Sequence, residues 1–130
     1  MSKADIFSNM QTKVLIDWVA SQYGERLEFL WERLPDCAVW RHAGNQLWYA
    51  VLMRVSRHKI TGQGNDKVDV LDLRYQRELL PDFVRHQKGV YPGWHMNKDN
   101  WISVILDETL TTDNIKTLID NSREIAGSKK

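Results

Sequence analysis

The sequence predicts an α+β fold, a two-layer α-β(3)-α-β(2)-α arrangement with an antiparallel sheet and helices on one face. Three observations point there. Runs of strand character are joined by short polar turns, which favours antiparallel neighbours. Apolar residues at helical spacing occur near both ends of the chain and once in the middle. No glycine-rich phosphate loop follows any strand, which excludes a doubly wound nucleotide fold.

The first helix is predicted over Ser8 to Tyr23. Ser8 and Gln11 have the spacing of a capping box, Val14, Leu15, Trp18 and Val19 form one apolar stripe, and Gly24 is the stop. Core packing is preferred over a partner groove for that stripe. Glu25 to Leu34 is a mixed connector ahead of Pro35-Asp36. Cys37 to His42 reads as a short strand, Ala43-Gly44-Asn45 as a turn and Gln46 to Val55 as a longer strand. A three-residue loop sets Trp40 opposite Trp48, with Leu47, Tyr49, Val51, Met53 and Val55 on the other face. A one-residue slip inverts that assignment.

Ser56 to Asp66 is a loop with glycines and the basic cluster Arg57, His58 and Lys59. It reads either as a basic wing that tracks phosphates or as a solvated excursion from the sheet, and the second reading is preferred. Lys67 to Arg74 is the third strand. Tyr75 to Gln87 is helical in tendency, with Pro81 starting or kinking the regular part because it lacks an amide hydrogen.

The most unusual stretch is Tyr91-Pro92-Gly93-Trp94-His95-Met96-Asn97-Lys98-Asp99-Asn100-Trp101, leading into the apolar run Ile102 to Leu106. It reads as a hairpin with two available registers. A Lys98-Asp99-Asn100 loop puts Trp94 and Met96 on one face with Ile102, Val104 and Leu106, and His95, Asn97, Trp101 and Ser103 on the other. That register groups apolar with apolar and is the expectation; a two- or four-residue turn exchanges the sets. The last helix spans Thr111 to Ala126, with Thr112 as N-cap and Ile115, Leu118, Ile119, Ser122 and Ile125 as its stripe.

Composition sets the outer bounds. The chain has 130 residues and suits one domain, 1–130. Net charge is +1, so nucleic-acid binding has to rest on local clustering rather than on a bulk field. Cys37 is the only cysteine, which excludes an internal disulfide and a zinc–thiolate knuckle and fits a reduced, cytoplasmic setting. No apolar run approaches the roughly 18 residues of a membrane span, and the N-terminus lacks a signal-peptide block, so no membrane partner is expected. Six tryptophans commit large aromatic area to the core or to a binding face.

The Tyr91 to Lys98 stretch with Trp101 and Leu106-Asp107 resembles the signature of the MmcQ/YjbR family, in its MmcQ-like branch. Tyr23-Gly24, Trp31, Pro35, Val39-Trp40-Arg41-His42, Asn45, Trp48-Tyr49-Ala50, Val68 to Arg74, and Leu118, Ile119 and Ser122 extend the likeness. It departs at Gln76-Arg77, where an acidic-proline pair is usual, at Trp94 for a tyrosine, and at Arg123 for an aromatic. The resemblance implies a fold similar to the type III secretion chaperones. It also implies DNA binding through a double wing of protruding sheet elements.

Three functions follow as candidates. For DNA, Arg41, Arg54, Arg57, His58, Lys59 and Lys98 would meet phosphates, a tryptophan would stack on bases, and His95 and Asn97 would join from the hairpin tip. The alternatives are an adaptor that docks another protein on an aromatic sheet face, and a small-ligand site at His95, whose sign is a deep pocket there. Catalysis is not expected, and neither is a cofactor or metal. No histidine has the spacing of a helical metal pair, and His95 with Asn97 reads more simply as fixing a turn than as an acid-base pair. Asp69 and Asp72 fall on opposite strand faces, so they are not a carboxylate pair.

Overall fold

The computed structural model describes residues 6–129. Its elements are α1 (Met10–Tyr23), β1 (Cys37–Arg41), β2 (Trp48–Ser56), α2 (His58–Thr61), β3 (Lys67–Arg74), α3 (Leu80–His86), β4 (Val90–Pro92), β5 (Trp101–Ile105) and α4 (Thr112–Gly127). The strands form one antiparallel sheet in the order β1-β2-β3-β5-β4. The α+β class and the predicted order of strands and long helices hold; α2, one short turn between β2 and β3, is the addition. No helix among the described residues is long and apolar enough to cross a membrane.

Local chemistry sets the helix ends. The N-cap of α1 is Asn9 rather than Ser8, its side chain accepting from the amides of Gln11 and Thr12. Gln11 is then turned inward, donating to the Leu110 carbonyl and accepting from the Glu108 amide, which ties α1 to the approach of α4. Gly24 ends α1 in the left-handed conformation (φ 70°). Pro81 sits in the first turn of α3, where a missing N–H costs nothing. Thr111, not Thr112, caps α4 by accepting from the Asn114 amide.

Strand alternation divides the core. Trp40, Leu52, Leu71, Leu73, Ile102 and Val104 face the helices and pack with Leu15, Val19, Ile115 and Ile119. Val14, expected in the α1 stripe, is exposed. Ser122 is buried against the sheet because its hydroxyl accepts from Arg74 N–H and donates to the Tyr49 carbonyl. The opposite face carries Val39, Val51, Met53, Val70 and Ile105. No long helix among the described residues covers it. Trp31 of the α1–β1 connector, Ile60 of α2, and Trp94 and Met96 of the β4–β5 loop pack there instead.

Two predicted registers are corrected. A bulge between Trp40 and Arg41 pairs Trp40 with Ala50 and Arg41 with Trp48. The turn is also one residue longer than expected, with His42 N–H bonded to the Leu47 carbonyl, and together with the bulge this sets Trp40 in the helix-side core and Trp48 on the open face, while Tyr49 joins the helix-side core rather than Val51 and Met53. In the last hairpin β4 stops at Pro92, which pairs with Ile102. Gly93 N–H closes the ladder on the Trp101 carbonyl at 3.0 Å. A Cβ on Gly93 would sit 2.8 Å from Trp101 Cβ, so only glycine fits that approach. The chain then leaves the sheet, with His95 left-handed at φ 61°. Neither expected register forms. Trp94 and Met96 lie on the open face rather than with Ile102 and Val104, and His95 and Asn97 share no strand face.

Candidate functional site

The open face is hollowed into a cleft of about 560 Å³. Val51 and Met53 of β2, Cys37 of β1 and Asp72 of β3 form its floor. Trp31 and Trp48 make one wall, meeting edge to face at 5.6 Å between ring centres. Trp94 and Met96 make the other. Lys59 of α2, Lys67 at the start of β3, Arg54, His95 and Asp36 also line it, with Leu34 and Val55. The Lys59 ammonium stands 5.9 Å from the centre of the Trp94 ring, and the His95 ring is 3.8 Å from it.

A relay of hydrogen bonds fixes the Trp94 wall to the floor. Trp94 N–H donates to Ser103 Oγ at 2.8 Å, and Ser103 donates to Asp72 Oδ1 at 2.5 Å. Asp72 and Ser103 are cross-strand partners on β3 and β5, which sets that contact by register alone. Asp72 is fully buried, and its Oδ2 has no hydrogen-bond partner. Burial pushes the Asp72 carboxyl up to about 7, against the opposing pull of the Ser103 bond and of Lys98. Burial, with Asp36 and Asp72 nearby, pushes the Cys37 thiol up to about 11, which favours the thiol over the thiolate at neutral pH.

The predicted site residues separate into two groups. Three arginines are occupied by carboxylates. Arg41 pairs with Glu28, and Arg54 reaches the buried Asp69, which also accepts from Thr12. Arg57 pairs with Asp66 and with Asp107, so the Ser56 to Asp66 excursion is tied down rather than free. His58 lies against the Gly64 carbonyl at 3.2 Å. Asn97 fixes the β4–β5 loop, its side chain accepting from the Asp99 amide and its carbonyl from Asn100 and Trp101. Lys98 donates to the Gly93 carbonyl. Lys59 and His95 join Arg54 around the cleft, whereas Arg41 and Arg57 are not among its lining residues. A stacking tryptophan was expected from sequence, but Trp31, Trp48 and Trp94 were not named as site residues, and neither was the acid at the floor. The available signal was Asp72 itself, an acid set between Leu71 and Leu73 inside a strand.

A second buried acid makes the contrast. Glu25 accepts from Tyr49 Oη at 2.6 Å, from Ala43 N–H, and twice from Arg123 at 2.8 Å. Burial works against its charge, but the bonds from Arg123, Tyr49 and Ala43 overcome it and hold the pKa below the usual carboxylate range. Arg123, the departure noted in the last helix, is thus part of the scaffold, and it also covers the Tyr23 ring at 4.3 Å.

The YjbR family model matches residues 20–125. A Bacillus subtilis (strain 168) protein named "Uncharacterized protein YyaQ" is 32% identical over 122 residues, spanning 94% of this chain and 95% of that protein. A crystal structure of a Pseudomonas syringae protein superposes with a TM-score of 0.83 at 39% identity, covering 88% of this chain and 97% of that one. A solution NMR structure from Pseudomonas syringae gives 0.78 at 39% identity, covering 88% and 90%. A Deinococcus radiodurans protein shares the fold at 20% identity, with a TM-score of 0.64 and coverage of 88% and 79%.

Proposed function

The chain belongs to the YjbR family, and we propose that it binds a small, partly aromatic organic ligand in the cleft on the open face of its sheet. The cleft carries this reading. Its volume of about 560 Å³ falls within the roughly 300–1,000 Å³ of small-molecule sites, and its lining is mainly apolar with a few convergent polar groups. The function is read as binding rather than catalysis. Cys37 is held as a thiol, and no carboxylate among the described residues hydrogen-bonds His95 to orient it as a base.

The test is NMR mapping with a panel of aromatic fragments. The indole N–H signals of Trp31, Trp48 and Trp94 are expected to shift together and saturably. Those of Trp40, buried in the helix-side core, and of Trp18, packed on Tyr23, are expected to stay in place. Saturable shifts confined to Trp18 or Trp40, or none at millimolar fragment, would remove the cleft from consideration.

DNA binding is the second reading, and one observation favours it. Lys59, Lys67 and Lys98 have no carboxylate within ion-pair distance among the described residues, and the Trp94 ring lies beside Lys59. With the three arginines engaged, about three phosphates would be neutralised. Log K for duplex DNA is then expected to fall against log salt with a slope of about −3. A fluorescence anisotropy titration at several salt concentrations measures it. A slope near −8, or no binding at low salt, would contradict a contact limited to these lysines.

A further inference from the structure

The unmet oxygen of Asp72 says what kind of ligand suits the cleft, and this inference rests on the reading of the cleft as a ligand site. Ser103 accepts from Trp94 N–H and gives its own proton to Asp72 Oδ1, so it has no second proton for Oδ2. Buried polar atoms are nearly always paired, and a buried carboxylate without a donor is costly. Glu25 shows the satisfied case in this same chain, with three donor residues around one carboxylate. Polar groups in the cleft are divided by position. The acid lies buried at the floor, while Lys59 and Lys67 of the lining are exposed, and Asp36 is the other carboxylate of the lining.

We propose that the cleft takes a planar heteroaromatic ligand of the guanine or pterin type, with paired N–H donors on one edge and an anionic group on the other. The N–H edge meets the Asp72 carboxylate, which has about four acceptor positions and uses one on Ser103. The rings of Trp31, Trp48 and Trp94 contact the flat faces, and the anionic group rests on Lys59 and Lys67. Asp72 has no solvent-exposed surface, so side chains of the lining must shift as the ligand enters. Met53 and Met96 are unbranched and adapt at low cost. A purely cationic amine fits less well, because it would pass the lysines on its way to the acid.

Calorimetric titration with three probes tests this. Guanosine monophosphate carries both features, guanosine lacks the phosphate, and naphthyl phosphate keeps aromatic bulk and phosphate without an N–H donor. Asp72→Asn retains an oxygen acceptor for Ser103 and is expected to fold, which an unfolding curve checks. It is expected to weaken guanosine monophosphate roughly ten- to a hundredfold, as for loss of a charged hydrogen bond, and to leave naphthyl phosphate within about twofold. Lys59→Ala is expected to weaken both phosphates and spare guanosine. A short oligothymidylate with one central guanine separates the two sources of such a base. Tighter, Asp72-dependent binding of the strand assigns an unpaired base in DNA, and weaker binding assigns the free nucleotide. Equal affinity of guanosine monophosphate for the wild type and Asp72→Asn overturns the inference, while bound naphthyl phosphate would keep the cleft as a ligand site. Failure of all the probes to bind the wild type removes both.

Discussion

Asp72→Asn is expected to stabilise the protein at pH 8 by about 4 kcal/mol and to change little at pH 4. The magnitude follows from a carboxyl raised from an ordinary value of 3.8 to about 7, at about 1.4 kcal/mol for each unit. The sign follows from which state keeps the proton. Between those two values the folded chain holds a proton that the unfolded chain has released. The contribution of Asp72 to stability is therefore most favourable below pH 4, falls as pH rises towards 7, and levels off above. Asparagine cannot ionise and keeps the bond from Ser103, so this part of the loss disappears. Urea unfolding of both proteins across that range is the measurement. A stability difference between the two proteins that does not grow from pH 4 to pH 8, or a variant less stable than wild type at pH 8, would mean that Asp72 is not the uncompensated acid described.

Arg123→Ala is expected to cost about 3 kcal/mol, the low end of the range for removing one partner of a buried ion pair. The low end applies because Tyr49 and Ala43 still donate to Glu25 when the guanidinium is gone. The pH signature is opposite to that of Asp72. The Glu25 pKa is depressed in the folded state, so its contribution is present above the ordinary carboxylate value of 4.5 and is lost as pH falls through the folded value. Removing Arg123 should therefore hurt most near neutral pH and least in acid. Comparing unfolding midpoints at pH 7 and pH 3 checks this, and an equal loss at both would point to packing on Tyr23 as the main role of the side chain.

These two acids also mark what a linear reading can and cannot reach. Strand alternation alone separated Asp69 from Asp72, and the structure places them on opposite faces as expected. Gly24 and Pro81 stood where their backbone chemistry put them. The hairpin registers failed for local reasons that leave little trace in residue pattern. One is an added residue in the turn after His42 and another at the Trp40–Arg41 bulge, and the other is the early exit of the chain after Pro92. The basic cluster is tied down for a tertiary reason. Arg57 is engaged by Asp107, 50 positions away, which no local window displays. The isolation of Asp72 is tertiary as well, because an unpaired oxygen is defined by what fails to arrive from elsewhere in the chain.

The two outer strands bear on how this protein can associate with others. β1 is met from outside by Glu28, which exchanges both backbone hydrogen bonds with Val39. On the far side β4 is three residues long and ends in Pro92, which has no N–H to offer. Neither border gives a visiting chain the run of open backbone groups on which sheets extend from molecule to molecule. The sheet is therefore guarded against edge-to-edge growth and the aggregation it brings, although five strands with largely apolar sequences lie side by side. A second protein that engages this one must do so through side chains on its faces, not by lengthening the sheet.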